Sequence, residues 1–200
     1  MLNFKGLRLK SIGWPWKILV GTLCYLPTGI CCVEKTKPKA ETYPEFQLHG
    51  PTAIDFKLKE GNICKDDDLC KFNLKNHLNN KETKLGFVFN LDEHWKSGSH
   101  WVALYIDLVD KHVYYFDSAG DRCPTRIKKI YHKLNSNNDF KFSSNYGIRH
   151  QKGKTECGIY VIYFILTMLK KNNYKLFNDR KNLIPDIQME NHRHKYFNKL

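Results

Sequence analysis

Hydrophobic and polar positions alternate through the middle of the chain. From Val102 to Leu108 every even-numbered residue is apolar, and this period of two is typical of a β-strand with one face in a core. A second run, residues 111–117, is rich in aromatic side chains, as strands often are. Because only Val109 and Asp110 separate the two runs, the sequence predicts an antiparallel hairpin over residues 100–117.

Two later segments show the spacing of helices. Apolar residues at 127, 130, 131 and 134 follow Pro124, which predicts a helix over residues 124–134. Residues 159–169 are apolar on nearly every side, and such a helix lies buried at the centre of a domain. Thr155 is a good N-cap for it, which places Cys157 in the first turn. Weaker patterns predict a short helix over residues 69–78 and short strands over residues 86–91, 140–142 and 147–151.

The composition is that of a globular protein rather than a disordered one. The chain has 200 residues, of which 42% are hydrophobic and 26% charged, and this is enough for one domain with its own core. Its seven cysteines are odd in number and form no CxxC pair. A disulfide scaffold is therefore disfavoured, and we expect a reducing compartment such as the cytoplasm.

Residues 1–45 form a separate N-terminal extension in this pattern, ahead of a globular domain at residues 46–200. Basic residues precede a mostly apolar run, residues 18–32, which is short for a membrane span and interrupted by Pro27. Residues 35–45 are charged and contain two prolines, as linkers do. We expect an extension packed on the domain, with membrane association through residues 18–32 left open.

The net charge of +13 is concentrated at the ends of the chain, mainly the C-terminal one. Residues 141–200 contain 12 Lys and Arg against 4 Asp and Glu, whereas residues 46–140 contain 14 against 13. Such a basic region permits binding of nucleic acid or an acidic surface, although it also fits an ordinary solvated surface. A binding module without catalysis is therefore an alternative function. Its phosphate contacts would come from Lys170, Lys171, Lys175, Arg180, Lys181, Arg193, Lys195 and Lys199.

Four residues carry candidate nucleophilic chemistry. Cys157 lies where free backbone N–H groups and the helix dipole favour a thiolate, although buried core cysteines are also common. His100 begins a core strand, which would fix its backbone while its ring enters a cleft. With the hairpin centred between Val109 and Asp110, Asp117 lies opposite Val102, within side-chain reach of His100. Gln151 precedes Cys157 by six residues, so its amide could turn back and donate to an oxyanion.

Each of these residues also has an ordinary structural interpretation when taken alone. His100 could be a hydrogen-bonded core histidine, Asp117 a turn acid, and Gln151 an exposed polar side chain. Asp107 is a poor rival to Asp117, because it lies seven residues along the strand from His100 and on the opposite face. We also predict no cofactor, because no spacing among the cysteines and the candidate histidines matches a zinc site. Those histidines are His94, His100, His192 and His194.

The order of these residues is more specific than any one of them. His100-Trp101 is followed by Asp117-Ser118, and then by Gln151, five further residues and Cys157-Gly158. In this order and spacing the chain resembles the ubiquitin-like-protein protease superfamily. That group includes the SUMO-processing proteases, the adenoviral protease and core-protein proteases of large DNA viruses. The resemblance covers residues 46–200, and residues 50–56 and 89–92 look most like the proteases of large DNA viruses.

The resemblance implies an α+β, papain-like core with a small mixed sheet and a buried helix that opens at the nucleophile. It implies a cysteine endopeptidase in which Cys157 is the nucleophile, His100 its base, Asp117 the group that orients the base and Gln151 the oxyanion donor. The substrate would be a protein, either a viral structural precursor or a ubiquitin-like modifier, in the host cytoplasm or the virion. Cleavage would follow small or Gly-Gly residues, and the residues at the substrate would be Trp95 and Trp101.

Overall fold

A computed structural model of the chain describes residues 43–57, 59–60, 63–64, 69, 72–96, 98–137 and 139–197. The predicted apolar run at residues 18–32 lies outside these residues, as does most of the predicted extension. None of the helices in the described part of the chain combines the length and the apolar character needed to cross a membrane.

The fold is a mixed α+β arrangement around one five-stranded sheet, as the sequence predicted. The strands are β1 (Phe46–Ala53), β2 (Lys59–Glu60), β3 (Ile63–Cys64), β4 (Lys84–Asn90), β5 (Trp101–Asp107), β6 (His112–Phe116) and β7 (Lys141–Ser144). The helices are α1 (Leu74–Asn79), α2 (Thr125–Leu134), α3 (Cys157–Lys171) and α4 (Asp186–Phe197), with a 3-10 turn at Tyr174–Leu176. The large sheet has the order β1-β4-β5-β6-β7, parallel at both edges and antiparallel in the middle, while β2 and β3 form a separate pair.

The predicted hairpin is confirmed, including its register. Ala103 pairs with Phe116 and Asp107 pairs with His112, so the hairpin is centred between residues 109 and 110. Asp107 accepts hydrogen bonds from the backbone N–H groups of Val109 and Asp110, both at 3.0 Å, and so serves the turn. The register therefore places the start of β5 and the end of β6 side by side.

The sheet is covered on both faces, whereas the alternation in β5 predicted one buried face. Trp101, Ala103 and Tyr105 pack in one cluster with α3, and Val102 and Leu104 pack in another with α2. Trp101, Ala103 and Tyr105 are aromatic or small rather than charged, and α3 covers them. Burial on both faces makes β5 a rigid support for whatever lies at its ends.

Two local predictions were wrong. Residues 147–151 form no strand, because the chain turns at Gly147 with a positive φ of 78° and leaves the sheet. Glu156 rather than Thr155 is the N-cap of α3, and its side chain makes no capping hydrogen bond. Of the helix predicted over residues 69–78, the structure describes Leu69 as helical and α1, which Asn73 caps by accepting from the N–H of Lys75.

Candidate active site

The start of β5 and the end of β6, which lie side by side, bring a histidine and an aspartate together. His100 immediately precedes β5, and Asp117 immediately follows β6. Nε2 of His100 donates to Oδ1 of Asp117 at 2.6 Å. The carboxylate is fully buried and the imidazole is 22% exposed. A buried carboxylate on one ring nitrogen fixes the orientation of the ring, so the other nitrogen can serve a reacting group.

The backbone around Asp117 is held by an asparagine that follows the neighbouring strand, β7. Asn145, which follows β7, accepts from the N–H of Asp117 at 2.9 Å and donates to its carbonyl oxygen at 2.6 Å. The same amide donates to the carbonyl oxygen of Ile148 at 3.0 Å. The N–H of Ala119 donates to Oδ1 of Asp117 at 2.8 Å. The acceptor of His100 is thus fixed from two directions before any substrate is present.

Cys157 is the first residue of α3 and contacts the histidine of this pair. Its thiol is free of disulfide bonds and buried, and it lies close enough to His100 to contribute to the raised pKa of that ring. Because Asp117 occupies Nε2, the ring nitrogen left for the thiol is Nδ1. The structure therefore brings the three residues together in the order cysteine, histidine, aspartate.

The proton affinity of His100 follows from its neighbours. Burial of the ring disfavours protonation, but the hydrogen bonds to Asp117 and Cys157, and the charges of both partners, outweigh it and raise the pKa of His100 to about 10. The ring is therefore an imidazolium at neutral pH. Its neighbour Cys157 lies at a helix N-terminus, where free N–H groups favour an anion. A cation beside a cysteine in such a place is the usual setting of a reactive thiolate.

Gln151 is linked to the His100–Asp117 pair through Ser118, the residue after Asp117. Oγ of Ser118 donates to Oε1 of Gln151 at 2.7 Å, and the backbone N–H of Gln151 donates to the carbonyl oxygen of Ser118 at 2.9 Å. Nε2 of Gln151 donates to the carbonyl oxygen of Gly153 at 3.1 Å, which leaves its second hydrogen for another acceptor. The side chain is buried and fixed at both ends of its amide, unlike that of an ordinary surface glutamine.

The two candidate substrate tryptophans lie in different settings. Trp101 is buried in the cluster that contains Cys157. Trp95 is 62% exposed, in the loop that joins β4 to β5, and its ring packs edge-on against His94 at 4.8 Å between ring centroids. The base of this loop is closed where the N–H of Leu91 donates to the carbonyl oxygen of His100 at 2.9 Å. An exposed indole therefore lies in the loop that ends at His100.

Other histidines are accounted for by ordinary structure. Nδ1 of His94 lies 2.6 Å from a carboxylate oxygen of Asp55. His150 accepts from the N–H of Ile184 at 3.1 Å and donates to the carbonyl oxygen of Phe177 at 2.9 Å. Burial lowers the pKa of His150, so its ring is neutral. Within the part of the chain that the structure describes, no group of three or more His, Cys, Asp or Glu side chains is placed to hold a metal ion.

The candidate basic region splits into an exposed part and a structural part. Among its described members, Lys170 and Lys171 lie at the end of α3, and Lys175, Arg180 and Lys181 are exposed in the segment that follows. Arg193 instead donates to the carbonyl oxygen of Thr155 at 3.0 Å, just before the nucleophile helix. The side chains of Lys195 and Lys199 lie outside the described residues.

Sequence reasoning missed two residues that hold this site. Asn145 bonds to Asp117 from 28 positions away in the sequence, and Asp186, at the start of α4, bonds to the N–H groups of Lys152 and Gly153. Neither lies in a periodic pattern or in the motif around Cys157. Only the folded chain brings them to the site, so no local signal could have identified them.

Known proteins are similar to this chain in sequence and in fold. The family described as "Ulp1 protease family, C-terminal catalytic domain" matches residues 87–200, more than half of the chain. A putative thiol protease of Acanthamoeba polyphaga mimivirus is 30% identical over 141 residues, 66% of this chain and 44% of that protein. A SUMO-1 cysteine protease of African swine fever virus is 33% identical over 105 residues, 46% of this chain and 36% of that protein.

A solved structure shows the same architecture. The crystal structure of the African swine fever virus protease matches with a TM-score of 0.59 and 22% identity, over 77% of this chain and 60% of that one. This likeness shows a shared fold, which in this chain is a mixed sheet with a buried helix that begins at Cys157. The chain belongs to the Ulp1 protease family of cysteine peptidases. It spans less than half the length of the two viral relatives.

Proposed function

We propose that this chain is a cysteine endopeptidase in which Cys157 attacks the substrate, His100 transfers protons and Asp117 orients His100. One observation supports this most directly. His100 is hydrogen-bonded to the buried Asp117, and Cys157 lies close enough to the same ring to help raise its pKa. Such a chain of contacts is what an activated thiol nucleophile requires.

The first half of the reaction forms a thioester. The thiolate of Cys157 attacks the carbonyl carbon of the scissile peptide, and the carbonyl oxygen takes up the negative charge. Gln151 and the backbone N–H of Cys157 donate to this oxyanion, since the first N–H groups of a helix have no partner within it. The C–N bond then breaks, and His100 as imidazolium gives its proton to the leaving amine.

The second half of the reaction releases the acid. The neutral His100 removes a proton from a water molecule, and the resulting hydroxide attacks the thioester carbonyl. The C–S bond breaks, the carboxylic acid leaves, and Cys157 returns as a thiolate beside the reprotonated imidazolium. Asp117 keeps Nε2 protonated throughout, so that Nδ1 performs both transfers.

We further propose cleavage on the carboxyl side of glycine. Trp101 is buried in the cluster that contains Cys157, and Trp95 is exposed in the loop that leads to His100. Two indoles flanking the approach to a thiol would leave room for a peptide backbone and little for side chains. One viral relative carries the name SUMO-1 cysteine protease, which supports ubiquitin-like proteins ending in Gly-Gly as one substrate class. Viral structural precursors are the other.

The test is cleavage of two kinds of purified substrate by the full chain. One is a ubiquitin-like protein fused through Gly-Gly to a reporter, and the other is a set of capsid and core precursors. Cys157→Ala and His100→Ala should each abolish cleavage, and Asp179→Asn, which changes an exposed carboxylate elsewhere, should keep it. Cleavage that survives either of the first two changes would contradict the assignment. Cut sites without glycine before the scissile bond would contradict only the proposed specificity.

A further inference from the structure

The segment between Gln151 and Cys157 carries both the candidate oxyanion donor and the nucleophile, but it has no regular secondary structure. Residues 152–155 are exposed and form an irregular segment with bends between the buried Gln151 and the start of α3. Loops are usually mobile unless other elements hold them. An oxyanion donor must be placed before the reaction, because the benefit of such donors depends on their preorganisation.

One carboxylate holds the first part of this segment. Oδ2 of Asp186 accepts from the N–H of Gly153 at 2.7 Å and from the N–H of Lys152 at 3.0 Å. The carbonyl oxygen of Gly153 in turn accepts from Nε2 of Gln151 at 3.1 Å. A Cβ atom added at Gly153 would lie 3.4 Å from Oδ2 of Asp186 and 2.9 Å from the side chain of Glu156, so this approach is close.

The same carboxylate also reaches the nucleophile helix. The hydroxyl of Tyr160 lies 2.8 Å from Oδ1 of Asp186 and 2.8 Å from the carbonyl oxygen of Ile184, so both acceptors share its proton. Burial, together with the hydrogen bond and charge of Asp186, raises the pKa of Tyr160, which keeps this proton in place. Tyr160 is buried in the first turn of α3, three residues after Cys157.

Helix α4 supplies a second contact at the other end of the segment. Arg193 lies seven residues after Asp186, on the same face of α4, and donates to the carbonyl oxygen of Thr155 at 3.0 Å. Between them, Met189 is fully buried in the cluster around α3. The helix is therefore anchored to the core by Met189 and contacts the segment with Asp186 and Arg193.

We propose that Asp186 is a positioning residue that places the Gln151 amide relative to Cys157, with α4 acting as a clamp on residues 151–156. This inference rests on the proposed function. The chain of contacts runs from Asp186 through the backbone of Gly153 to Gln151, and separately through Tyr160 to the start of α3. Loss of the carboxylate should displace the oxyanion donor while the Cys157–His100 pair, which Asp117 holds, stays in place.

The test separates thiol reactivity from oxyanion binding with two probes on the full chain. Iodoacetamide alkylates Cys157 without forming an oxyanion. A peptide aldehyde ending in Gly-Gly forms a hemithioacetal with the thiol, whose oxygen needs the donors. Protection of Cys157 from alkylation by this aldehyde therefore reports on the oxyanion donors.

Asp186→Asn keeps the size of the side chain but removes its charge and one of the two oxygens that accept from Tyr160 and from the N–H groups of Lys152 and Gly153. We expect it to leave the alkylation rate within about twofold and to weaken aldehyde protection about 10-fold or more, since small misplacements cost up to about 100-fold. The matched control is Asp179→Asn. Asp179 also accepts from a backbone N–H, that of Lys181 at 2.8 Å, in a turn before α4. This control should change neither quantity.

The same substitution made in the Gln151→Ala variant distinguishes positioning of Gln151 from an effect on stability alone. In Gln151→Ala, Asp186→Asn should weaken protection by no more than about twofold further, because the donor that it positions is already absent. Unchanged protection in Asp186→Asn would overturn the inference. An equal fall of alkylation and protection, or a full further loss in the Gln151→Ala background, would also overturn it. A Cys157 that is inert in the unchanged protein would overturn the proposed function itself, and this inference with it.

Discussion

At the scale of single residues, the site depends on one histidine between two acceptors. Asp117 is fully buried, so the hydrogen bond from His100 is shielded from water and stronger than an exposed one would be. The same contact, with the thiol on the opposite side, determines how readily the ring holds a proton. The charge state of His100 is therefore a property of its partners more than of its own exposure.

The raised pKa of His100 predicts a pH dependence of stability. An unfolded histidine has a pKa near 6.5, and the folded value is about 10. The stabilisation is therefore fully present below pH 6.5 and is lost as the pH rises towards 10. In urea unfolding, the stability difference between the unchanged protein and His100→Gln should shrink over this range. A difference that stays constant from pH 6.5 to pH 10 would contradict the assigned charge state.

Residues within one local pattern could be predicted, and residues that act from a distance could not. His100, Asp117 and Cys157 lie at the ends of a strong hairpin pattern and a strongly apolar helix, so their positions followed from the sequence. Gln151 was placed through its distance from Cys157 and the family resemblance. Asn145 and Asp186 reach the site through tertiary contacts, which no pattern in a single sequence records.

At the scale of elements, each side chain of the site is fixed where a regular element begins or ends. The β5–β6 hairpin sets the distance between His100 and Asp117, and α3 packs its buried side chains against β5. Its first residue, Cys157, is thus fixed relative to the sheet. The edge of the sheet contributes through β7, since Asn145 follows it directly.

We predict that Asn145→Ala weakens both the fold and the reaction. Asn145 is fully buried and makes three hydrogen bonds to the backbone of Asp117 and Ile148. Its removal leaves buried polar groups without partners, each at a cost of about 1–3 kcal/mol. Urea unfolding should show a loss of roughly 2–4 kcal/mol, together with a lower kcat. The control is Asn182→Ala, whose amide bonds only to an exposed carboxylate among described residues, and it should be near neutral.

Among the elements that escaped prediction, β1 and α4 have sequences that conflict with the usual patterns. Strand β1 contains Gly50 and Pro51, residues that normally argue against a strand, and its register is irregular between His49 and Thr52. Helix α4 has few apolar positions, because it contacts the core mainly through Met189 and makes polar contacts with its other side chains. Polar elements of this kind become visible only once their partners are in place.

At the scale of the whole molecule, the described part of the chain is a sheet covered on both faces, with the candidate active site at the ends of β5 and β6. The division into residues 1–45 and 46–200 stays a prediction, as does a cytoplasmic location. Net charge alone would also suit a nucleic-acid-binding module, but a buried His–Asp pair in contact with a cysteine is not needed for phosphate binding. The arrangement of His100, Asp117 and Cys157 therefore favours catalysis over binding.

The rate of Cys157 alkylation by iodoacetamide, measured against pH in the unchanged protein and in His100→Ala, tests the central claim most directly. The label is located by mass spectrometry, because the chain has seven cysteines, and Cys157→Ala gives the background. We predict rapid alkylation of Cys157 at and below neutral pH, where ordinary thiols react slowly, and a large loss of that rate in His100→Ala. A slowly reacting Cys157, with a pH profile that His100→Ala leaves unchanged, would contradict the Cys157–His100 pair.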